Sequence, residues 1–213
     1  MSIKENIEKI RREIPSNVVL VAATKTRSAG EIEEAIAAGI GIIGENYVQE
    51  AEKKFLALKG KVKFHCIGHL QTSKVKKAVE IFDMIETVDS AKIAEEIDKR
   101  CKNIGKIMPL LIEINIGKEK NKSGCMPEDA KALIKEISAL KNIGIKGLMA
   151  MAPFFDDPEK DRPYFREMKK IFDNLKEGYD LTILSMGMSD SYKIAVEEGA
   201  TLVRIGTGIF GPR

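Results

Sequence analysis

The sequence is poor in residues that hold metals or build disulfides. Only two histidines occur in 213 residues, His65 and His69. Neighbouring residues of a strand point to opposite faces, so His65 and Cys66 diverge, and no further cluster completes a metal site. His69, on the loop that follows, is left as a residue able to line a pocket. The three cysteines, Cys66, Cys101 and Cys125, are odd in number and far apart. They read as reduced thiols in a cytoplasmic setting, not as a disulfide framework. No apolar run is long enough to span a bilayer. The opening "MSIKENIEKIRREI" sets isoleucines 3, 7, 10 and 14 among charges. That pattern predicts an amphipathic helix over residues 1–14 and lacks the apolar block of a signal peptide. Charge of one sign is also missing. The 35 basic and 32 acidic residues leave a formal charge of +3, mixed along the chain. Nucleic acid and membrane are therefore not expected as partners, and Lys74, Lys76 and Lys77 read as a solvated helix face.

What is present is one repeated pattern: apolar run, short loop, amphipathic segment, glycine. Strand segments are expected at 18–24, 40–43, 62–67, 84–88, 110–116, 145–151, 181–186 and 201–205. They are nearly continuous apolar runs, as suits parallel strands covered on both faces. Ser28 with Glu31 forms a capping box, and Gly39 closes that helix. Asn46 and Asp89 are placed to cap the helices that follow them, and Pro127 and Pro158 to open helices. Phe165, Met168 and Phe172 lie at helical spacing and read as core. Eight strands alternating with helices in a chain of this length predict a single (β/α)8 barrel of the TIM type. Residues 1–213 form one domain, with an extra N-terminal helix at 1–14 and the barrel at 18–211. After the eighth strand too little chain remains for a full helix, and the N-terminal helix is expected to fill that gap.

In such barrels the chemistry gathers at the C-terminal ends of the strands, and phosphate often binds after strands seven and eight. "SMGMS" there offers the Ser185 and Ser189 hydroxyls, and "IGTGIFG" offers glycine N–H groups and Thr207. Either loop alone is explained by tight turning; the two together favour an anion. Lys25 ends the first strand, beside strand eight once the barrel closes. In isolation it is a surface charge. Beside a phosphate cradle it is a candidate to form a Schiff base with an aldehyde. An aldehyde that carries a phosphate is pyridoxal phosphate. Arg204 interrupts the apolar run "LVRIG" and needs a partner. That partner is either a carboxylate such as Glu113 or Glu45, or the pyridine nitrogen of the cofactor. Arginine keeps its proton, so it would leave the ring nitrogen unprotonated and the ring a weak electron sink.

The segments "ATK", "GENYVQE", "HCIGHLQTSK", "NKSG", "LSMGMSDS" and "VRIGTGIFG" occur in that order from about residue 20 to residue 211. Together they resemble the pyridoxal phosphate homeostasis proteins. Ser73 departs from the resemblance, since asparagine is the commoner residue there. The resemblance implies a barrel like the N-terminal domain of alanine racemases. It implies pyridoxal 5′-phosphate as cofactor, with a Schiff base on Lys25. It assigns the phosphate to Ser185, Gly206 and Thr207, the ring nitrogen to Arg204 and the ring surroundings to Asn46. The implied role is to carry and buffer the cofactor, with apo-enzymes as acceptors and no established catalysis. The expected state is a monomer. The competing function is an amino-acid racemase, which needs an acid–base group on each face of its substrate. Tyr47 and Tyr192 are the tyrosines near strand-end loops. Lys122 in "NKSG" reads as a solvated loop tip, with a second aldehyde- or phosphate-binding lysine as the minority reading.

Overall fold

The computed structural model describes residues 1–212; Arg213, the last residue of the expected domain, lies outside them. Among the described residues eight parallel strands close into a barrel in chain order. They are β1 (Val19–Ala23), β2 (Ile42–Glu45), β3 (Lys63–Cys66), β4 (Met84–Val88), β5 (Met108–Ile114), β6 (Ile143–Ala150), β7 (Ile183–Ser185) and β8 (Leu202–Ile205). The seam is made by β1 and β8, where Val21 pairs with Arg204 and Ala22 with Ile205. The helices are α1 (Ile3–Glu13), α2 (Ala29–Ala37), α3 (Val48–Leu58), α4 (Val75–Ile81), α5 (Ala91–Ile104), α6 (Ala130–Ile137), α7 (Arg162–Lys176), α8 (Tyr192–Glu197) and α9 (Thr207–Phe210). None of the described helices is long and apolar enough to cross a membrane.

The main core lies between strands and helices. Leu20 and Ala22 of β1, Ile43 of β2 and Phe64 of β3 belong to it, with Ile32 of α2 and Ala51 of α3. The alternate residues, such as Val21, Gly44 and His65, face the barrel axis, as the two-residue period of a strand requires. The α7 stripe of Phe165, Met168 and Phe172 is buried against this layer.

The eighth turn of the barrel is completed as the short C-terminal remainder predicts. α9 is a single turn, and α1 packs beside it. Asn6 donates to the Ile209 carbonyl at 2.9 Å, Arg11 donates to the Gly39 carbonyl at 2.7 Å, and the Tyr192 hydroxyl donates to Glu13. Ser28 and Glu31 form their capping box, and Gly39 follows α2 at φ +96°.

Several local expectations differ. Strand five runs two residues earlier than 110–116, and strands six and seven span Ile143–Ala150 and Ile183–Ser185 in place of 145–151 and 181–186. Strand two runs two residues later than 40–43, because the Ile40 N–H is used to close α2, on the Ala35 carbonyl at 3.0 Å. Asn46 does not cap α3: the N-cap is Tyr47, with no side-chain bond. Asp89 does not cap α5 either; Ser90 holds that position and donates to Asp89. In both places the helix starts one residue later than the capping pattern predicts, so the polar side chain stays with the strand end.

Candidate functional site

Lys25 emerges from β1 on a tight turn. The Arg27 N–H closes that turn on the Thr24 carbonyl at 3.0 Å, and Thr26 takes φ +65°. Lys25 is half-buried, and its Nζ lies 5.1 Å from the centre of the Tyr47 ring. Across the seam, β8 delivers Gly206. A Cβ on Gly206 would meet the Ala23 carbonyl at 3.3 Å, so the β8 turn lies directly against the strand that carries Lys25.

That turn is held from the loop after β7. Ser189 Oγ accepts from the N–H groups of Gly206, at 3.3 Å, and Gly208, at 3.1 Å. Thr207 stands exposed between them. Gly187, at φ +93°, lets the loop come round; a Cβ there would meet the Ala195 side chain at 2.5 Å. Backbone N–H groups and two hydroxyls at a crowded glycine turn form a donor set suited to a phosphate.

Ser185 ends β7, two residues before Gly187. It is fully buried in the barrel interior, where its hydroxyl donates to Glu86 Oε2 at 2.7 Å and accepts from Arg204 Nη1. Arg204 also donates to the Ala150 carbonyl at 3.0 Å and lies 3.9 Å from Glu86 Oε2. The carboxylate beside Arg204 is thus Glu86 of β4, and neither Glu113 nor Glu45 makes that ion pair. Glu86 shares its other oxygen with His65 Nδ1 at 2.7 Å. Burial alone would raise the Glu86 carboxyl, but His65, Arg204 and Ser185 outweigh it and hold it below the ordinary value. Burial lowers the Arg204 guanidinium, with Glu86 and Glu113 opposing. Glu113 has no such partner set. It is 3% exposed, and its Oε2 has no hydrogen-bond partner. Burial, aided by the Asp89 charge and opposed by Arg204, pushes its carboxyl up to about 7.

Asn46 is half-buried after β2, and a Cβ on Gly68 would strike its backbone carbonyl at 2.4 Å. The ends of β2 and β3 are therefore locked together. His69 lines a cleft of about 340 Å³ with Asn46, Tyr47 and Lys74. Lys122 is paired with Glu119, in a loop tied back by Asn115 Nδ2 to the Glu119 carbonyl at 2.8 Å. His65 faces Glu86 while Cys66 packs in the outer core, so the two do diverge.

The site thus brings Lys25, Gly206, Thr207 and Ser189 to one mouth, with Asn46 on its rim and the Arg204–Ser185–Glu86–His65 network in the interior. Glu86 and Lys54, by contrast, are not marked as site residues by the sequence. The available signal was a charged residue inside an apolar run, as in "MIETV" for Glu86.

Comparison with known proteins places the chain's family and fold. The model of the alanine racemase N-terminal domain matches residues 1–213. The pyridoxal phosphate homeostasis protein of Aquifex aeolicus is 42% identical over 91% of this chain and 86% of its own. That of Escherichia coli K12 is 37% identical over 93% and 87%. The structure of PipY of Synechococcus elongatus with pyridoxal phosphate bound superposes with a TM-score of 0.91 at 36% identity, over 99% of this chain and all of that one. An alanine racemase from Clostridium difficile shares the fold, with a TM-score of 0.85 at 16% identity over 60% of its length. By its matched domain, its full-length relatives and its closed barrel, this chain belongs to the pyridoxal phosphate homeostasis protein family, built on the alanine racemase N-terminal domain.

Proposed function

We propose that the chain binds pyridoxal 5′-phosphate as a Schiff base on Lys25 and acts as a carrier and buffer for it in the cytoplasm, with apo-enzymes as acceptors. The observation that carries this reading is the contact at the seam. The strand ending in Lys25 lies against the Gly206 turn, whose N–H groups converge on Ser189. The cofactor supplies an electrophilic aldehyde and an anchoring phosphate. Lys25 Nζ is the nucleophile. Ser189, Gly206, Thr207 and Gly208 hold the phosphate, and Asn46 flanks the ring. The Ser185 hydroxyl is already taken by Glu86 and Arg204. There it orients Arg204 toward the ring nitrogen; the Gly206 and Gly208 N–H groups are likewise engaged, by Ser189, so engagement alone does not remove Ser185 from the phosphate set. An arginine there keeps its own proton and leaves the nitrogen unprotonated, which favours storage over carbanion chemistry. The bound cofactor in PipY supports the same reading.

The racemase reading needs a second acid–base group facing the lysine across the substrate. The Tyr192 hydroxyl is engaged by Glu13 of α1 in the outer helix layer. Tyr47 packs on the Lys25 ammonium itself. These contacts favour the carrier reading over the racemase one. Likeness to alanine racemases below 20% identity speaks for the fold alone.

Borohydride reduction of the loaded protein, followed by peptide mapping, should place the label on Lys25; a label on another lysine refutes the assignment. Transfer to an apo-enzyme should outpace spontaneous release into a trap. Interconversion of alanine enantiomers well above the rate with free cofactor would overturn the carrier role.

A further inference from the structure

The two peptide groups that flank Lys25 end on one ion cluster. Lys54 of α3 is buried, with its side chain 8% exposed. Its Nζ donates to the Thr24 carbonyl at 2.7 Å, to Glu45 Oε1 at 2.7 Å and to Glu50 Oε1 at 2.8 Å. Glu50 Oε1 also accepts from the Thr26 N–H at 2.5 Å. The carbonyl just before Lys25 and the amide just after it are therefore clamped by the same Lys54–Glu50 pair.

Two further observations say that this clamp works against resistance. Thr26 is β-branched and sits at φ +65°, in the left-handed region where such a residue is strained. Its N–H bond to Glu50 helps hold it there. Glu45 is fully buried, and its Oε2 has no hydrogen-bond partner. Burial pushes its carboxyl above the ordinary value against the pull of Lys54 and Thr24. Burying such a cluster costs desolvation that its internal attraction barely offsets, so it is a poor device for stability alone.

We infer that Lys54 and Glu50 are positioning residues for Lys25. They fix the turn so that the amine faces the barrel mouth in the orientation Schiff-base formation requires. The inference rests on the proposed role of Lys25. In that reaction the Lys25 nitrogen bonds to the aldehyde carbon, and the carbonyl oxygen leaves as water with two protons from the neutral amine. No oxidant or reductant takes part. The chain contributes orientation, a term to which rates respond steeply.

The decisive pair of variants is Glu50→Ala and Glu50→Gln. The Glu50 side chain is 23% exposed, and its removal leaves the Lys54–Glu45 pair in place. Glutamine keeps an oxygen for the Thr26 N–H. The full-length protein is mixed with pyridoxal 5′-phosphate, and the rise of imine absorbance gives the rate. Thr26 amide exchange is read by NMR without ligand, and thermal melts report folding. Glu50→Ala should slow imine formation about tenfold or more and speed Thr26 exchange by a similar factor. Glu50→Gln should restore both. Imine formation at the parent rate in Glu50→Ala, or the same loss in Glu50→Gln, overturns the inference. A parent protein with no borohydride label on Lys25 would instead refute the functional reading. The clamp is then judged by Thr26 exchange, and unchanged exchange in Glu50→Ala sinks it.

Discussion

Glu113 places a titratable group with one unpartnered oxygen inside the barrel, and it should make the ligand-free protein weaker as the pH rises from 4.5 to about 7. Its carboxyl is 3% exposed and raised from an ordinary value of 4.5 to about 7, by burial first and the Asp89 charge second. Below pH 4.5 both folded and unfolded chains hold the proton. Between 4.5 and 7 the unfolded chain loses it while the folded chain keeps it, so stability falls across that window and levels off above it. At 1.36 kcal/mol per pH unit, the window is worth about 3 kcal/mol, of which about 2 to 3 kcal/mol falls between pH 5 and pH 8. Glu113→Gln removes the titration. The amide has unmet hydrogen bonds of its own, but that cost is the same at both pH values and cancels in the difference. Urea unfolding of parent and variant at pH 5 and pH 8 gives four free energies. The variant should gain about 2 to 3 kcal/mol relative to the parent on going from pH 5 to pH 8. An equal pH dependence in the two proteins would refute the placement of Glu113 as a buried acid without compensating partners.

Ser189→Ala should weaken pyridoxal 5′-phosphate binding about tenfold, the loss of one hydrogen bond to a charged group, measured by equilibrium titration of the absorbance. Unchanged affinity would remove Ser189 from the phosphate set. Arg204→Gln should shift the imine band and loosen the cofactor about tenfold, because a charge-assisted contact is replaced by a neutral one. An identical spectrum with identical affinity would argue against contact with the ring. Gly147→Ala should destabilise the barrel by about 3 kcal/mol, since its Cβ would lie 1.8 Å from the Ile183 carbonyl where β6 meets β7. A melt within a degree of the parent would show that the strands part easily there.

Much of the molecule is legible residue by residue. Eight apolar runs, each followed by an amphipathic segment, dictate a parallel barrel, because backbone polar groups in apolar strands must pair and both sheet faces must be covered. Ser28 with Glu31 marks a helix start, and the scant chain after Ile205 explains why α1 completes the outer ring. Lys25 at one strand end and the glycine turn after another mark the mouth, since these signals depend on a few consecutive residues. What only the tertiary structure decides is which side chains meet across the barrel. Arg204 and Glu86 are separated by more than a hundred residues, and Ser185 rather than a chain neighbour joins them. Alternation along a strand says that Arg204, Glu86 and Glu113 turn inward. Which carboxylate Arg204 reaches depends on the stagger of the closed barrel, a property of all eight strands at once. The same holds for Lys54. On its own helix it reads as one more exposed lysine, and only the packing of α3 against β1 and β2 brings it to the peptide groups that flank Lys25.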